Sequence, residues 1–272
     1  MIARASALLL ALWWIILPCA GAQSLEGGAR SVALGSATTA LHDDAWGHGN
    51  PAIWASLPGR ALSFFASEAY GLSELRLGAL HLVQPTRLGA FALGARTFGF
   101  EDYRETHLNV GYARGFSAGT TRSVFVGLRA RYYRVSISGY GSAGTVGLTA
   151  GVLVALAPGL HAGFQATNLN RPHLAGREEF ERALAVGLGY APTPSLRVLL
   201  DVAKDVRFPL SVRGGLEVMP VSVLALRAGF TTEPTRFTAG LGLRLGLLAA
   251  DVAAEQHEIL GWSPAFSLSL LW

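Results

Sequence analysis

A single cysteine, Cys19, stands in 272 residues, and it falls in a stretch that a signal peptidase would remove. The chain begins Met1-Ile2-Ala3-Arg4, a short cationic start, continues with an apolar core over 5–17, and reaches Ala20-Gly21-Ala22, an A-x-A site before Gln23. This order reads as a secretory signal over 1–22. A membrane anchor fits less well, because the apolar run is short and ends in Pro18 and small residues. A lipoprotein reading through Cys19 is weakened by the same Pro18. Cleavage after Ala22 leaves no thiol, which excludes disulfides and cysteine chemistry.

Charge is the second scarcity. Asp, Glu, Lys and Arg make up 15% of the chain, where a soluble domain carries about 25%. The basic residues are dispersed and the net charge is only +4. That excludes the clustered basic face a nucleic-acid partner needs. Long apolar runs are missing too. Beyond the signal, the nearest is 240–254, and Arg244 and Asp251 interrupt it. No transmembrane helix can be built from it. Nor is there a phosphate loop, a serine nucleophile motif or a catalytic carboxylate pair. The expectation is a non-enzyme with no cofactor. His42 and His48 flank Asp43-Asp44, but closeness in sequence does not make ligands converge, so no metal site is assigned.

What remains is alternation. Along 235–245, Phe237, Leu241, Leu243 and Leu245 share one face, while Arg236, Thr238, Gly240, Gly242 and Arg244 share the other. Only a strand separates these sets. The same rule sorts Leu184, Val186, Leu188 and Tyr190 from Ala183, Ala185, Gly187 and Gly189. Segments of this kind are expected at about 60–68, 73–84, 86–98, 104–115, 121–135, 144–156, 159–169, 182–192, 195–204, 208–218, 221–231, 235–246, 247–257 and 264–272. An apolar secreted chain without spanning helices satisfies its backbone in lipid by closing a sheet. The fold class is therefore all-β: a closed transmembrane antiparallel β-barrel of about 14 strands over 59–272. Longer connections at 139–144 and 170–181 are expected on the outer side. The Pro-marked ones at 191–195, 219–220 and 232–234 are expected on the periplasmic side. Tyr70, Phe98, Phe100, Tyr103, Tyr112, Tyr132, Tyr140, Trp262 and Trp272 are expected in aromatic girdles.

Inward faces of the last strands carry charge: Arg197, Asp201, Arg213, Glu217, Arg227, Arg236, Arg244, Asp251 and Glu255. They are expected to neutralise one another across a polar lumen. Before the strands, 34–57 does not alternate and reads as a compact plug of short helices. Asp43-Asp44 are read as one helix cap and Asn50-Pro51 as another, with proline at the first helical position. The expected division is a signal over 1–22, an N-terminal hatch over 23–58 and the barrel beyond it.

The residues Gly28-Ala29-Arg30, then Leu41-His42-Asp43-Asp44-Ala45, then Asn50-Pro51-Ala52 resemble the N-terminal segment of PorV/PorQ-type outer-membrane proteins. More distantly they resemble FadL-type channels, whose N-terminal segment forms a hatch. Leu199-Leu200-Asp201-Val202, Arg213-Gly214-Gly215-Leu216-Glu217 and Leu226-Arg227-Ala228-Gly229-Phe230 follow in the order of PorV/PorQ-like chains. Phe266, Leu268, Leu270 and the terminal Trp272 share a face and look like a barrel-assembly signal. The resemblance implies residence in the bacterial outer membrane, among its lipid and its barrel-assembly machinery. It implies a role in type IX protein secretion, with exported proteins or other secretion components as partners. Asp43, Asp44, Asn50 and Pro51 would then serve structural and gating roles in the hatch. The alternative is a FadL-like conduit for hydrophobic small molecules.

Overall fold

The computed structural model describes residues 27–118, 122–174, 178–180 and 182–272; the signal segment 1–22 lies outside them. Sixteen strands follow a helix α1 (Gly28–Ala33) and a 3-10 turn (Pro51–Ser56). They are β1 (Ala61–Glu68), β2 (Arg76–Thr86), β3 (Gly89–Gly99), β4 (Tyr103–Ala118), β5 (Arg122–Ile137), β6 (Gly141–Ala157), β7 (Leu160–Ala166), β8 (His173–Leu174), β9 (Glu178–Glu179), β10 (Ala183–Thr193), β11 (Leu196–Asp205), β12 (Leu210–Val221), β13 (Leu224–Thr232), β14 (Thr235–Leu245), β15 (Leu248–His257) and β16 (Gly261–Leu271). β8 and β9 form a separate small hairpin in the β7–β10 connection. The other 14 close a barrel, each paired antiparallel with its neighbour in sequence. No helix among the described residues is long and apolar enough to cross a membrane.

The closing seam joins β1 to β16, from Ala61 opposite Leu271 to Ser67 opposite Ala265. Arg60 and Trp272 extend it by exchanging backbone hydrogen bonds at 2.7 and 3.0 Å. On the lumen side Ser63 and Ser269 share a hydroxyl hydrogen bond of 2.8 Å. Closure leaves no strand edge, which is the condition for a sheet in hydrocarbon.

Alternation sets the two faces as expected. Leu80, Leu128, Val186 and Phe237 point outward and are more than half exposed, while Val83, Leu153 and Leu199 point inward and are buried. The outward set forms an apolar belt around the barrel. Phe266, Leu268, Leu270 and Trp272 belong to it, each exposed on the outer face.

Several details differ from the sequence-based expectation. The connection expected over 139–144 is a tight turn, since β5 and β6 pair down to Ile137 opposite Gly141. Small residues at 141–144 suit a turn, but they continue the ladder here. The turn at 233–234 lies on the same rim as the long connections, because β13 runs toward that rim and β14 returns from it. Its prolines mark a break in the ladder and say nothing about which side it faces. Pro192 and Pro220 sit inside β10 and β12, where the register shifts past them between Tyr190 and Thr193 and between Val218 and Val221. Phe98 and Tyr70 turn inward against the apolar cluster around α1. Tyr103 turns inward as well and donates to Glu105 Oε1 at 2.6 Å. The three tyrosine and phenylalanine rings therefore pack the lumen instead of the girdle, whereas Trp262 and Trp272 remain exposed.

The outward belt makes one test direct. Leu188 lies mid-strand on β10 and faces outward, opposite Leu200 and Ala162. In a bilayer Leu188→Arg should cost about 2–4 kcal/mol, the depth-dependent cost of a cation at the midplane. Urea unfolding in vesicles checks this; an unchanged midpoint would contradict an outward face in lipid.

Candidate functional site: the lumen segment and its charge cluster

Residues 27–58 occupy the lumen. α1 packs against β13–β16 and β1, and the 3-10 turn packs against β2–β6. A six-residue helix is too short to persist alone, so its form depends on this packing. Leu34, Leu41, Ile53 and Trp54 are wholly buried. Each contributes ~1.5–3 kcal/mol of burial relative to a water-filled lumen.

The wall makes room with glycine. A Cβ at Gly127 would strike the backbone of Pro51 and Ala52, one at Gly151 the side chain of Asn50, one at Gly163 the carbonyl of Thr39, and one at Gly111 the ring of Trp54. Backbone thus meets backbone, and the polar groups of the irregular segment find partners on the wall. The Gly35 amide donates to Thr238 Oγ1 at 3.1 Å, and Thr231 Oγ1 donates to the Gly35 carbonyl at 2.9 Å. Thr238 Oγ1 donates to the Ala33 carbonyl at 3.0 Å, and the Ala29 amide to Ser267 Oγ at 3.2 Å. Without such partners, buried irregular backbone is costly.

Asn50 caps the 3-10 turn as its sequence position suggests. Its Oδ1 accepts from the Ala52 amide at 3.0 Å, and Pro51 holds the first position. Its Nδ2 also donates to the Thr39 carbonyl at 2.9 Å and to the Val152 carbonyl at 2.8 Å, tying both halves of the segment to β6. Asp43 and Asp44 cap no helix; His42 and Asp43 lie in a turn, and only bends follow up to Asn50. Asp44 Oδ2 accepts from the Gly47 amide at 3.2 Å, a local turn of the kind aspartate favours. The regular helix lies earlier, at Gly28–Ala33, ahead of the 34–57 span in which short helices are expected.

Asp43 instead joins an ionic cluster. Glu217, 2% exposed, accepts from three guanidinium groups. Arg30 of α1 reaches its two oxygens at 2.9 and 2.8 Å, Arg197 reaches it at 3.0 Å and Arg227 at 2.7 Å. Arg30 and Arg197 also hold Asp43, at 2.9 and 3.0 Å. Arg227 ends the chain of contacts on Asp251 at 2.6 Å. The expected lumen charges Arg197, Glu217, Arg227 and Asp251 are therefore brought together. Asp201 stands apart and accepts from the Thr39 amide at 2.8 Å, with Arg213 opposite it in the ladder. Glu255 pairs with Arg236 at 3.2 Å. Arg244 faces the lumen near the end of β14 and forms no ion pair among the described residues. Arg30, in sequence only part of the Gly28-Ala29-Arg30 landmark, is the bridge between segment and wall. The available signal was a lone arginine in a stretch of small residues.

Burial and charge set the protonation of the lumen segment. For Arg30, burial opposes the charge, but Asp43 and Glu217 outweigh it and hold its pKa well above the ordinary value. Burial likewise works against ionised Asp43, and Arg30 and Arg197 overcome it to bring the pKa down to about 2. Asp44 is the opposite case: burial, with help from Asp43, pushes it up to about 7. His42, stacked on His161 with ring centroids 4.2 Å apart, is brought down to about 4, chiefly by burial, and stays neutral.

Two openings flank the segment. One of about 320 Å³ opens on the rim that carries the barrel's chain ends, between Pro158, Pro192 and Pro194, with Arg197 and Glu217 at its floor. A smaller one of about 40 Å³ lies between Trp46, His81, Arg96 and Asn109. A closed barrel with an occupied lumen, apolar outside and glycine-lined within, is the geometry to compare with other structures.

No family model matches the sequence, and no curated protein matches it. Solved structures do. The CymD monoaromatic hydrocarbon channel aligns with a TM-score of 0.67 at 14% identity, over 91% of this chain and 98% of that one. The Pseudomonas putida toluene transporter TodX aligns at 0.62 with 12% identity, over 91% and 97%. A Pseudomonas aeruginosa FadL homologue aligns at 0.60 with 12% identity, over 90% and 98%. The chain has the fold of FadL-type outer-membrane channels. At these identities the likeness shows the architecture alone.

Two outcomes test the cluster. Glu217→Gln leaves three guanidinium groups around a neutral amide and should cost about 3–5 kcal/mol, the scale of breaking a buried ionic group, read by urea unfolding. Asp44 has its pKa raised from 3.8 to about 7 by folding, so the folded state holds the extra proton. Its contribution is full below about pH 4 and is lost as pH rises toward 7. Protease cleavage within 27–58 should therefore increase from pH 5 to pH 8, and Asp44→Asn should flatten that rise.

Proposed function

We propose that this chain is a non-enzymatic outer-membrane channel for small hydrophobic molecules, with residues 27–58 as its hatch. The observation that carries the reading is the barrel whose lumen holds its own N-terminal segment, in the fold shared with hydrocarbon channels. The apolar belt fits the hydrocarbon of a membrane, and the outer membrane is where closed barrels of this kind reside. In this reading Asp43, Asp44, Asn50 and Pro51 hold the hatch. Arg30 is its latch on Glu217, and Phe266, Leu268, Leu270 and Trp272 present the face read by the assembly machinery.

The resemblance of the N-terminal landmarks to PorV/PorQ supports a second reading, an accessory of type IX secretion that handles exported proteins. The solved neighbours favour the first, since two of them are described as hydrocarbon or toluene channels.

Outer-membrane uptake of a labelled monoaromatic hydrocarbon should rise several-fold in cells making the chain. Deleting 28–57 should leave an assembled, heat-modifiable barrel with altered permeability. Uptake no faster than in cells without the protein, together with loss of a defined secreted cargo when the gene is deleted, would favour the second reading.

A further inference from the structure

Charge is unevenly divided between the two rims. The rim with the barrel's chain ends carries the 87–88, 158–159, 194–195, 222–223 and 246–247 connections, and no aspartate or glutamate stands in any of them. Among the described residues, the acidic residues of the strand connections, Glu74, Glu101, Asp102, Glu233 and Glu258 among them, lie at the opposite rim. Outside the lumen, the chain-end rim instead exposes Arg60, Arg87, Arg114 and Arg122; Arg244, also exposed near this rim, faces the lumen. None of the four forms an ion pair among the described residues. They are not scattered around the circle. Arg60 precedes β1, Arg87 lies between β2 and β3, Arg114 is on β4 and Arg122 opens β5, so they occupy one continuous arc. The connections from β6 to β15 on this rim are uncharged.

The arc is amphipathic in a specific sense. Arg114 and Arg122 fall on the outward parity of their strands, opposite the buried Ala113 and Gly127 set. Arg114 lies over the outward ring of Phe116, 5.7 Å from its centroid. Phe91 and Tyr112 pack beside it with centroids 5.2 Å apart, and the Tyr112 hydroxyl donates to the Leu88 carbonyl next to Arg87. At the other end, Arg60 is bonded through its backbone to the exposed Trp272. The guanidinium groups of Arg114 and Arg122 thus rise from the edge of the apolar belt and face the same way as it does, with Arg60 and Arg87 exposed beside them. A soluble anion would use only the charges, and an apolar molecule only the rings. A ligand that satisfies both has acyl chains and a phosphate.

We propose that this arc binds anionic phospholipid, with the acyl chains against the aromatic edge and the headgroup phosphates on Arg60, Arg87, Arg114 and Arg122. The inference rests on the outer-membrane reading above. Basic residues beside a bilayer attract anionic headgroups, and arginine grips phosphate with paired donors. The arc then fixes both the depth of the barrel and its rotation relative to a shell of bound lipid on β1–β5.

The test uses the full mature chain in phosphatidylcholine nanodiscs with and without phosphatidylglycerol, read by native mass spectrometry after release. Retained phosphatidylglycerol should exceed phosphatidylcholine, and each Arg→Gln change in the arc should reduce the excess about fivefold. The fourfold Arg→Gln variant should lose it, and the fourfold Arg→Lys variant should recover part of it. Heat-modifiable migration of each variant establishes that the barrel has folded. Equal phosphatidylglycerol retention by wild type and the folded fourfold Arg→Gln variant overturns the proposal. So does displacement of the lipid by millimolar inorganic phosphate, since that would show a soluble-anion site. Failure of the wild-type chain to enter nanodiscs of either composition would instead count against the membrane reading itself.

Discussion

One carboxylate holds the interior together. Glu217 takes hydrogen bonds from Arg30, Arg197 and Arg227, three guanidinium groups on the lumen segment, β11 and β13. Three cations in a space with little water repel one another strongly unless anions stand among them. Asp43 and Asp251 complete the balance at its edges. Because Arg30 belongs to α1 and Glu217 to the wall, the same arrangement that neutralises the lumen also seats the segment. Neither half of the protein satisfies its charges without the other.

The seat has a second requirement, which is space. An irregular chain inside a barrel must bring its amides and carbonyls within hydrogen-bonding distance of wall groups. Side chains between them would prevent that. Glycine at 127, 151 and 163 and hydroxyls at 231, 238 and 267 solve the two halves of this problem. The wall is therefore specialised twice over, apolar outward for one solvent and small or polar inward for its own N-terminal chain.

Much of this was legible from residue order. Period-2 alternation separated the two faces, and its repeats matched the 14 paired strands because a strand's facing is a local property of the backbone. Asn50-Pro51 read correctly as a cap, since that signal is also local. Asp43-Asp44 did not. Asp43 takes Arg197 at 3.0 Å, a partner set by where the lumen segment lies in space, and Asp44 closes a local turn on the Gly47 amide at 3.2 Å instead of starting a helix. Arg30 stands in the Gly28-Ala29-Arg30 landmark, but its ion pair is not legible there, because its carboxylate partner is 187 positions away along the chain. At 233–234 proline reports a missing donor and not a rim, because the side is settled by counting strands. The inward turn of Phe98 and Tyr103 shows the limit of reading aromatics by their nearness to strand ends, since one residue of parity decides between lipid and lumen.

Gly111 and Trp54 illustrate a wider property of this interior. The indole occupies the volume that any side chain at 111 would claim. Neither position is free to vary by itself, so neutral drift at the wall is coupled to drift in the enclosed chain. A lineage that enlarges one partner must first shrink the other, and the pair would leave a covarying trace between a strand of the barrel and a segment dozens of residues before it.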